Sequence, residues 1–390
     1  MKSLIQFTVA LLFLGGQIFP ANAGFSSIYV FGDTLSATTS NNVTGSSLAL
    51  YYGRRFTNGR TWVEVLAQRQ GLGASSISST NWAYTSNSIA YYGQSSAILV
   101  TNVANFVAPA NATNCLFVMW VNNADFVLDM QSFGQPNTGT NLGTWTTNIN
   151  LHLTNQFKAI TNLYAKGCRT LIAPNVADIT TVPQYNGSTS NYLTFIRQRI
   201  ISFNTNFAAM LKQIQSSPSY SGLTIYAPDI FSLLNNVFTN AASYGLTNAL
   251  YNSGTGNGLQ PVSVIGAYSA GLLPNANLNG LGTNYIFWGD TGDPTARFHA
   301  VIADVVQQMI SPVRFSGLVQ TGSSNRLDIV SVPIGLTNGF VLSATNLTQS
   351  LWPTNVSFNT APTASQSVFV PISGAQKFYR LYFPYQWNWP

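Results

Sequence analysis

Charge is what this sequence has least of. It carries 16 Lys+Arg and 10 Asp+Glu among 390 residues, or 7%, against roughly 25% in an ordinary soluble protein. Ion-pair networks are thereby excluded as a main source of stability. The formal charge of +6 arises from scarce acids and not from any Lys/Arg run, which excludes a nucleic-acid surface. Histidine is rarer still: His152 and His299 are the whole supply for any mechanism that needs an imidazole. Beyond the first 23 residues no apolar run approaches the roughly 20 residues that span a bilayer, so no transmembrane segment is expected there. What is plentiful is apolar surface. A hydrophobic fraction of 46% can offset ordering entropy and excludes bulk disorder. At roughly 150 residues per domain, the length suggests two or three domains.

Residues 1–23 read as a secretory signal peptide. Lys2 supplies the positive start, Leu4 to Phe19 a mostly apolar stretch, and Ala21-Asn22-Ala23 the small-residue cleavage pattern. The expectation is a soluble mature protein, secreted to the periplasm or beyond the cell, where Cys115 and Cys168 meet an oxidising medium that allows a disulfide.

From Gly24 to about Pro312, short apolar runs alternate with amphipathic stretches, the pattern of an α/β domain with a parallel sheet. Strands are predicted at Ser27–Phe31, Leu116–Val121, Thr170–Pro174 and Leu223–Ala227. Helices are predicted at Thr61–Arg69 and Asn148–Lys166; in the second, Leu153, Phe157, Ile160 and Tyr164 recur at helical spacing before Gly167 stops it. A last helix containing His299 is expected to open with Asp293 as N-cap and Pro294 in its first turn. Residues 313–390 change character: runs at Asp328–Val332, Gly339–Ser343, Ser367–Pro371 and Lys377–Phe383, parted by Asn/Thr/Ser/Gly turns, predict a small all-β, sandwich-like domain.

The first strand ends in Gly32-Asp33-Thr34-Leu35. The carboxyl ends of parallel strands face the ligand crevice, so a hydroxyl just after the first strand is well placed for function. Here the chain resembles the SGNH/GDSL hydrolases, lipases and acylhydrolases whose first block is Gly-Asp-Ser-Leu with a nucleophilic serine. Three further blocks extend the resemblance. Arg55-Phe56-Thr57-Asn58-Gly59-Arg60-Thr61-Trp62 is similar to the family's Arg-Phe-Ser-Asn-Gly stretch. Trp120-Val121-Asn122-Asn123-Ala124-Asp125-Phe126 is similar to its Trp-x-Gly-x-Asn-Asp-Phe block, and Asp293-Pro294-Thr295 to its His-Pro-Thr segment. The resemblance implies a three-layer, flavodoxin-like domain over residues 24–312 and an ester-hydrolysing site without cofactor or resident metal.

Each catalytic position that the resemblance assigns is altered. The nucleophile position holds Thr34, and threonine nucleophiles need an adjacent base. The base position holds Asp293, and a carboxylate with an ordinary pKa near 3.9 accepts a proton poorly from an alcohol at neutral pH. Asp290 fits an orienting acid three residues earlier. The oxyanion-hole asparagine is replaced by Ala124, with Asn122 and Asn123 at the wrong offset. The glycine block corresponds to Asn81–Asn87, with Thr85 and Ser86 where glycines stand. Losing one oxyanion donor costs about 10²–10³ in rate, and losing a nucleophile or base about 10⁶.

The expected outcome is a hydrolase-like protein whose crevice, with Asp33 beside Thr34, binds an acylated or carbohydrate ligand without turning it over. Two alternatives stand beside it: an active esterase using Thr34 with Asp293, and a glycan-binding protein acting through the β domain. His299 is expected to be structural and His152 solvated or capping. Convergence of Asp33, Asp290 and Asp293 could hold a hard cation such as Ca²⁺, but separate caps and hydrogen-bonded turns are the expectation. In the resembling fold Cys115 and Cys168 precede neighbouring strands, which predicts a disulfide, with free buried thiols as the alternative. The aromatics Tyr379, Tyr382, Phe383, Tyr385, Trp387 and Trp389 are expected to pack on the β domain's own core.

Overall fold

The structure, a computed structural model, describes residues 24–38, 50–52, 55–72, 95–133, 139–252, 259–273, 284–360, 365–372 and 377–384, with backbone alone for 139–141. The segment 1–23, the block 81–87 with Thr85 and Ser86, and Tyr385, Trp387 and Trp389 lie outside them.

Four strands, β1 (Ile28–Gly32), β2 (Leu116–Trp120), β3 (Thr170–Ile172) and β4 (Thr224–Tyr226), form a parallel sheet in the order β1-β2-β3-β4. Ile28 lies opposite Leu116, Leu116 opposite Thr170, and Thr170 opposite Thr224. Every residue of β2 is buried, because helices cover both faces and leave no solvated side for a polar alternation. Ile28, Val30, Val118 and Trp120 pack against α1 (Trp62–Arg69), α6 (Ile230–Thr239) and α8 (Ala296–Ile310). Phe31, Phe117, Met119 and Leu171 point the other way, into α2 (Ser96–Asn105), α3 (Asn122–Phe133), α4 (Gly139–Ala165) and α5 (Ser190–Ser216). A two-stranded ribbon, β5 (Leu250–Tyr251) with β6 (Gln260–Pro261), and the short helix α7 (Val264–Ser269) precede α8.

The helix boundaries follow local chemistry. Glu64 at the third position of α1 reaches back to Thr61, accepting from its N–H at 2.9 Å and its hydroxyl at 3.1 Å, the return half of a capping box. Gly167, at φ +100°, turns the chain out of α4 so that Cys168 N–H bonds Leu163 O at 2.9 Å. This helix starts well before the expected Asn148. The predicted cap of α8 is corrected: Thr295 is the N-cap, its hydroxyl accepting from Phe298 N–H at 3.3 Å, and Asp293 and Pro294 lie ahead of the helix. That leaves the Asp293 carboxyl free for another role.

The disulfide expectation is also corrected. Cys115 and Cys168 do precede neighbouring strands, but both are buried free thiols. Cys115 Sγ sits 3.3 Å from Ser26 Oγ, Cys168 Sγ is directed at Thr170 O, and burial pushes the Cys168 thiol up to about 12.

After Ile310 the architecture changes. Strands β7 (Arg314–Thr321), β8 (Ser324–Val330), β9 (Asn338–Ala344), β10 (Thr354–Asn359), β11 (Ser365–Pro371) and β12 (Phe378–Tyr382) make two three-stranded antiparallel sheets, ordered β11-β8-β7 and β10-β9-β12. Leu327, Ile329, Val341, Val368 and Val370 form one core between them. Tyr379 and Phe383 pack against that core as expected, while Tyr382 is half exposed beside Phe340. The two parts join at Arg69, which bonds Asp304 on α8 at 2.9 Å and the Ile334 carbonyl at 3.3 Å.

Candidate functional site

The carboxyl ends of the four strands open onto one crevice, whose cavity volume is about 70 Å³. β1 delivers Asp33, Thr34 and Leu35; the start of α3, directly after β2, delivers Asn123 and Ala124. The segment after β3 contributes Val182, α6 contributes Ile230, and the loop before α8 contributes Phe287 and Asp293. Thr34, Ala124, Asn123, Asp33 and Asp293, all singled out from sequence, therefore share one cavity. Asp290 does not line it: its carboxylate accepts from Ser263 Oγ at 2.5 Å beside α7. Asn122 is also absent from the lining. It is fully buried, donates to Pro174 O at 3.1 Å and accepts from Gln156. Among the described residues no three acidic, cysteine or histidine side chains converge as a metal site requires.

Tight local turns place the crevice residues. After β1, Asp33 N–H still bonds Trp120 O at 2.9 Å, and the chain then reverses with Ser36 N–H on Asp33 O at 3.0 Å. A Cβ on Gly32 would come 2.7 Å from Ser36 Cβ, so the turn that exposes Thr34 requires glycine there. On the opposite wall a Cβ on Gly289 would meet Asp293 Oδ2 at 2.5 Å. Glycine leaves the space that the Asp293 carboxyl occupies.

The two crevice carboxyls differ in how they are held. Asp33 Oδ1 accepts from Leu35 N–H at 3.0 Å, Oδ2 from Asn123 Nδ2 at 3.3 Å, and Ala124 N–H also donates to this carboxyl. Burial nevertheless raises it to about 7, against those hydrogen bonds. Asp293 Oδ2 accepts from Thr291 Oγ1 at 2.6 Å, the single side-chain donor to Asp293 among the described residues. Burial raises Asp293 to about 7 as well, the Thr291 bond opposing and the Asp290 charge reinforcing the shift. The ordinary carboxylate value expected from sequence for Asp293 is thus overturned by desolvation, which raises Asp33 as well. No hydrogen bond joins the Thr34 hydroxyl to Asp293.

Neither histidine reaches the crevice. His299 is buried inside α8, where Nδ1 accepts from Trp62 N–H at 3.2 Å, and burial lowers it to about 3. It is a neutral acceptor holding the start of α1, in keeping with the structural role expected.

His152 contradicts its expected solvated or capping role. It is buried on α4, with Nε2 3.0 Å from Asp129 Oδ2 and Nδ1 3.1 Å from Ser96 Oγ and 3.5 Å from Asp125 Oδ1. Burial pulls its pKa down, but the Asp129 hydrogen bond and both carboxylate charges carry it above the ordinary histidine value. Asn155 Nδ2 completes the cluster by donating to Ser96 Oγ at 3.3 Å. Sequence reasoning missed this set. The available signal was Asp125 and Asp129, four residues apart and so on one helix face.

No family model matches the chain, and no curated protein matches it.

Proposed function

We propose that the α/β part is an SGNH/GDSL hydrolase-like domain whose crevice binds an amphiphilic, acyl- or alkyl-bearing ligand without efficient turnover. The observation that carries this reading is that the crevice remains open and largely apolar while both histidines are engaged elsewhere, His299 with Trp62 and His152 with Ser96 and Asp129. The gathering of Asp33, Thr34, Asn123, Ala124 and Asp293 at the strand ends supports the resemblance, as does a sheet wrapped by helices on both faces. The apolar walls favour a hydrocarbon chain over a sugar ring. Tyr379 and Phe383, which would serve a glycan-binding face on the β domain, are packed on its core.

One observation favours a second reading, an active esterase. Asp293 at about 7 stands where a histidine base ordinarily titrates and would accept a proton at neutral pH. Against it, Ala124 supplies no side-chain donor to an oxyanion, and Thr34 is not bonded to Asp293. The deciding assay follows hydrolysis of short-chain and long-chain esters by the purified chain, by Thr34→Ala, and by the triple variant Thr34→Ser, Ala124→Asn, Asp293→His. Background rates in the first two with a gain in the third are expected. Turnover by the native chain that disappears in Thr34→Ala would establish the esterase instead.

A further inference from the structure

A crevice that holds a hydrocarbon chain leaves the ligand's head group to be decided, and the polar part of the lining decides it. Among the described residues, two carboxyls line the cavity, with no Lys, Arg or His. The Asp33 carboxyl is filled from within by Leu35, Asn123 and Ala124. Asp293 is only half satisfied: Thr291 occupies Oδ2, and Oδ1 receives no donor from the described residues although the residue is only 4% exposed. The Thr34 hydroxyl lines the same cavity with no hydrogen bond of its own to any described residue.

Facing the cavity with no donor from the described residues, Asp293 Oδ1 is an acceptor that a ligand donor can satisfy. A carboxylate or phosphate head would instead stand against two carboxyls, with no cation among the described lining residues to offset the charge they carry, a juxtaposition that disfavours such a partner. We infer that the crevice selects amphiphiles whose head group donates hydrogen bonds, above all a primary ammonium, seated on Asp293 Oδ1 and the Thr34 hydroxyl with the alkyl chain along Val182, Ile230 and Phe287. This rests on the crevice-binding reading above and adds to it the chemistry of the head. It runs opposite to a site built to stabilise an oxyanion, which would need donors where this cavity offers acceptors.

The test is a chain-matched series, octylamine, 1-octanol and octanoate, titrated calorimetrically into the full chain near pH 7. Octylamine is expected to bind tightest and octanoate at least about tenfold more weakly. Because an ammonium favours the ionised form of Asp293, amine binding is expected to expel a proton. The measured heat should therefore change with the ionisation enthalpy of the buffer, and that of 1-octanol should not. Asp293→Asn is expected to abolish the amine preference while keeping 1-octanol binding. Val182→Trp, which fills the cavity, is expected to weaken all three ligands. Octanoate binding as tightly as octylamine would overturn the head-group assignment and leave the crevice reading standing, and this arm needs no variant. No binding by any of the three, or binding unaffected by Val182→Trp, would overturn both.

Discussion

Two polar regions of the α/β part invert each other. Between α2, α3 and α4, Ser96, His152 and Asp129 are joined by bonds of 3.1 and 3.0 Å, the side-chain types of a hydrolytic triad, yet Ser96 is only 1% exposed. At the strand ends, Thr34 and Asp293 face open space but are not bonded to each other, and no imidazole is near them. One region has connectivity without access, the other access without connectivity. Catalysis requires both, since a base must reach its nucleophile and the nucleophile must reach a carbonyl. In the closed cluster, moreover, Ser96 N–H is taken by Asp125 Oδ1 at 2.8 Å, so the donor an oxyanion would need is spent and a carboxylate stands in its place. Its role is to tie three helices together.

The largest effect that would break this comparison lies in the closed cluster. His152→Ala leaves Asp125 and Asp129 buried without their common partner, and uncompensated buried charge of this kind costs about 3–5 kcal/mol. Urea denaturation of the variant is expected to show a loss of that size, with octyl-ligand binding in the folded fraction unaltered. A loss under about 1 kcal/mol would mean that the cluster holds nothing together.

Next in size is a pH effect in the crevice. Asp293 lies at about 7 in the folded chain and near 3.9 in the unfolded one. Between these values the folded state keeps a proton that the unfolded state has released. Stability therefore falls as pH rises, by about 1.4 kcal/mol per pH unit for one such group. Asp293→Asn removes this contribution. Asp33, raised in the same direction, and Asp125, raised by burial to about 6, remain in both chains, so the difference isolates Asp293. Between about pH 5 and about pH 6.5 the native chain is expected to lose roughly 2 kcal/mol more than the variant. Parallel stability profiles would return Asp293 to an ordinary carboxylate.

The same contrast sets how much was legible in the sequence. Strand positions were readable because runs such as Leu116–Trp120 are apolar throughout, and the crevice residues because each follows a strand or precedes the last helix. Properties that depend on surroundings were not readable. The basicity of Asp293 is set by burial, the N-cap of α8 fell on Thr295 because its hydroxyl lies within reach of Phe298 N–H, and the free thiols reflect partners such as Ser26 and Thr170. His152 misled for a related reason. Off the apolar stripe of α4 it looked solvated, but α2 and α3 cover it with a serine and two carboxylates, a polar face that hydrophobic periodicity does not register.

The finest test of the comparison removes one hydroxyl from each region. Ser96 Oγ lies between His152 Nδ1 and Asn155 Nδ2, and also bonds the Asp125 carboxyl. Ser96→Ala strips a bond from each of these buried partners and is expected to cost about 1–3 kcal/mol. The Thr34 hydroxyl has no such partner among the described residues, so Thr34→Ala is expected to stay within about 0.5 kcal/mol of the native chain. It should nevertheless weaken octylamine binding, because the side chain's remaining use is toward the cavity. The two variants thus dissociate stability from binding in opposite directions. If Thr34→Ala destabilised the fold as much as Ser96→Ala, the crevice hydroxyl would be a structural group like the other, and the distinction between the two regions would fail.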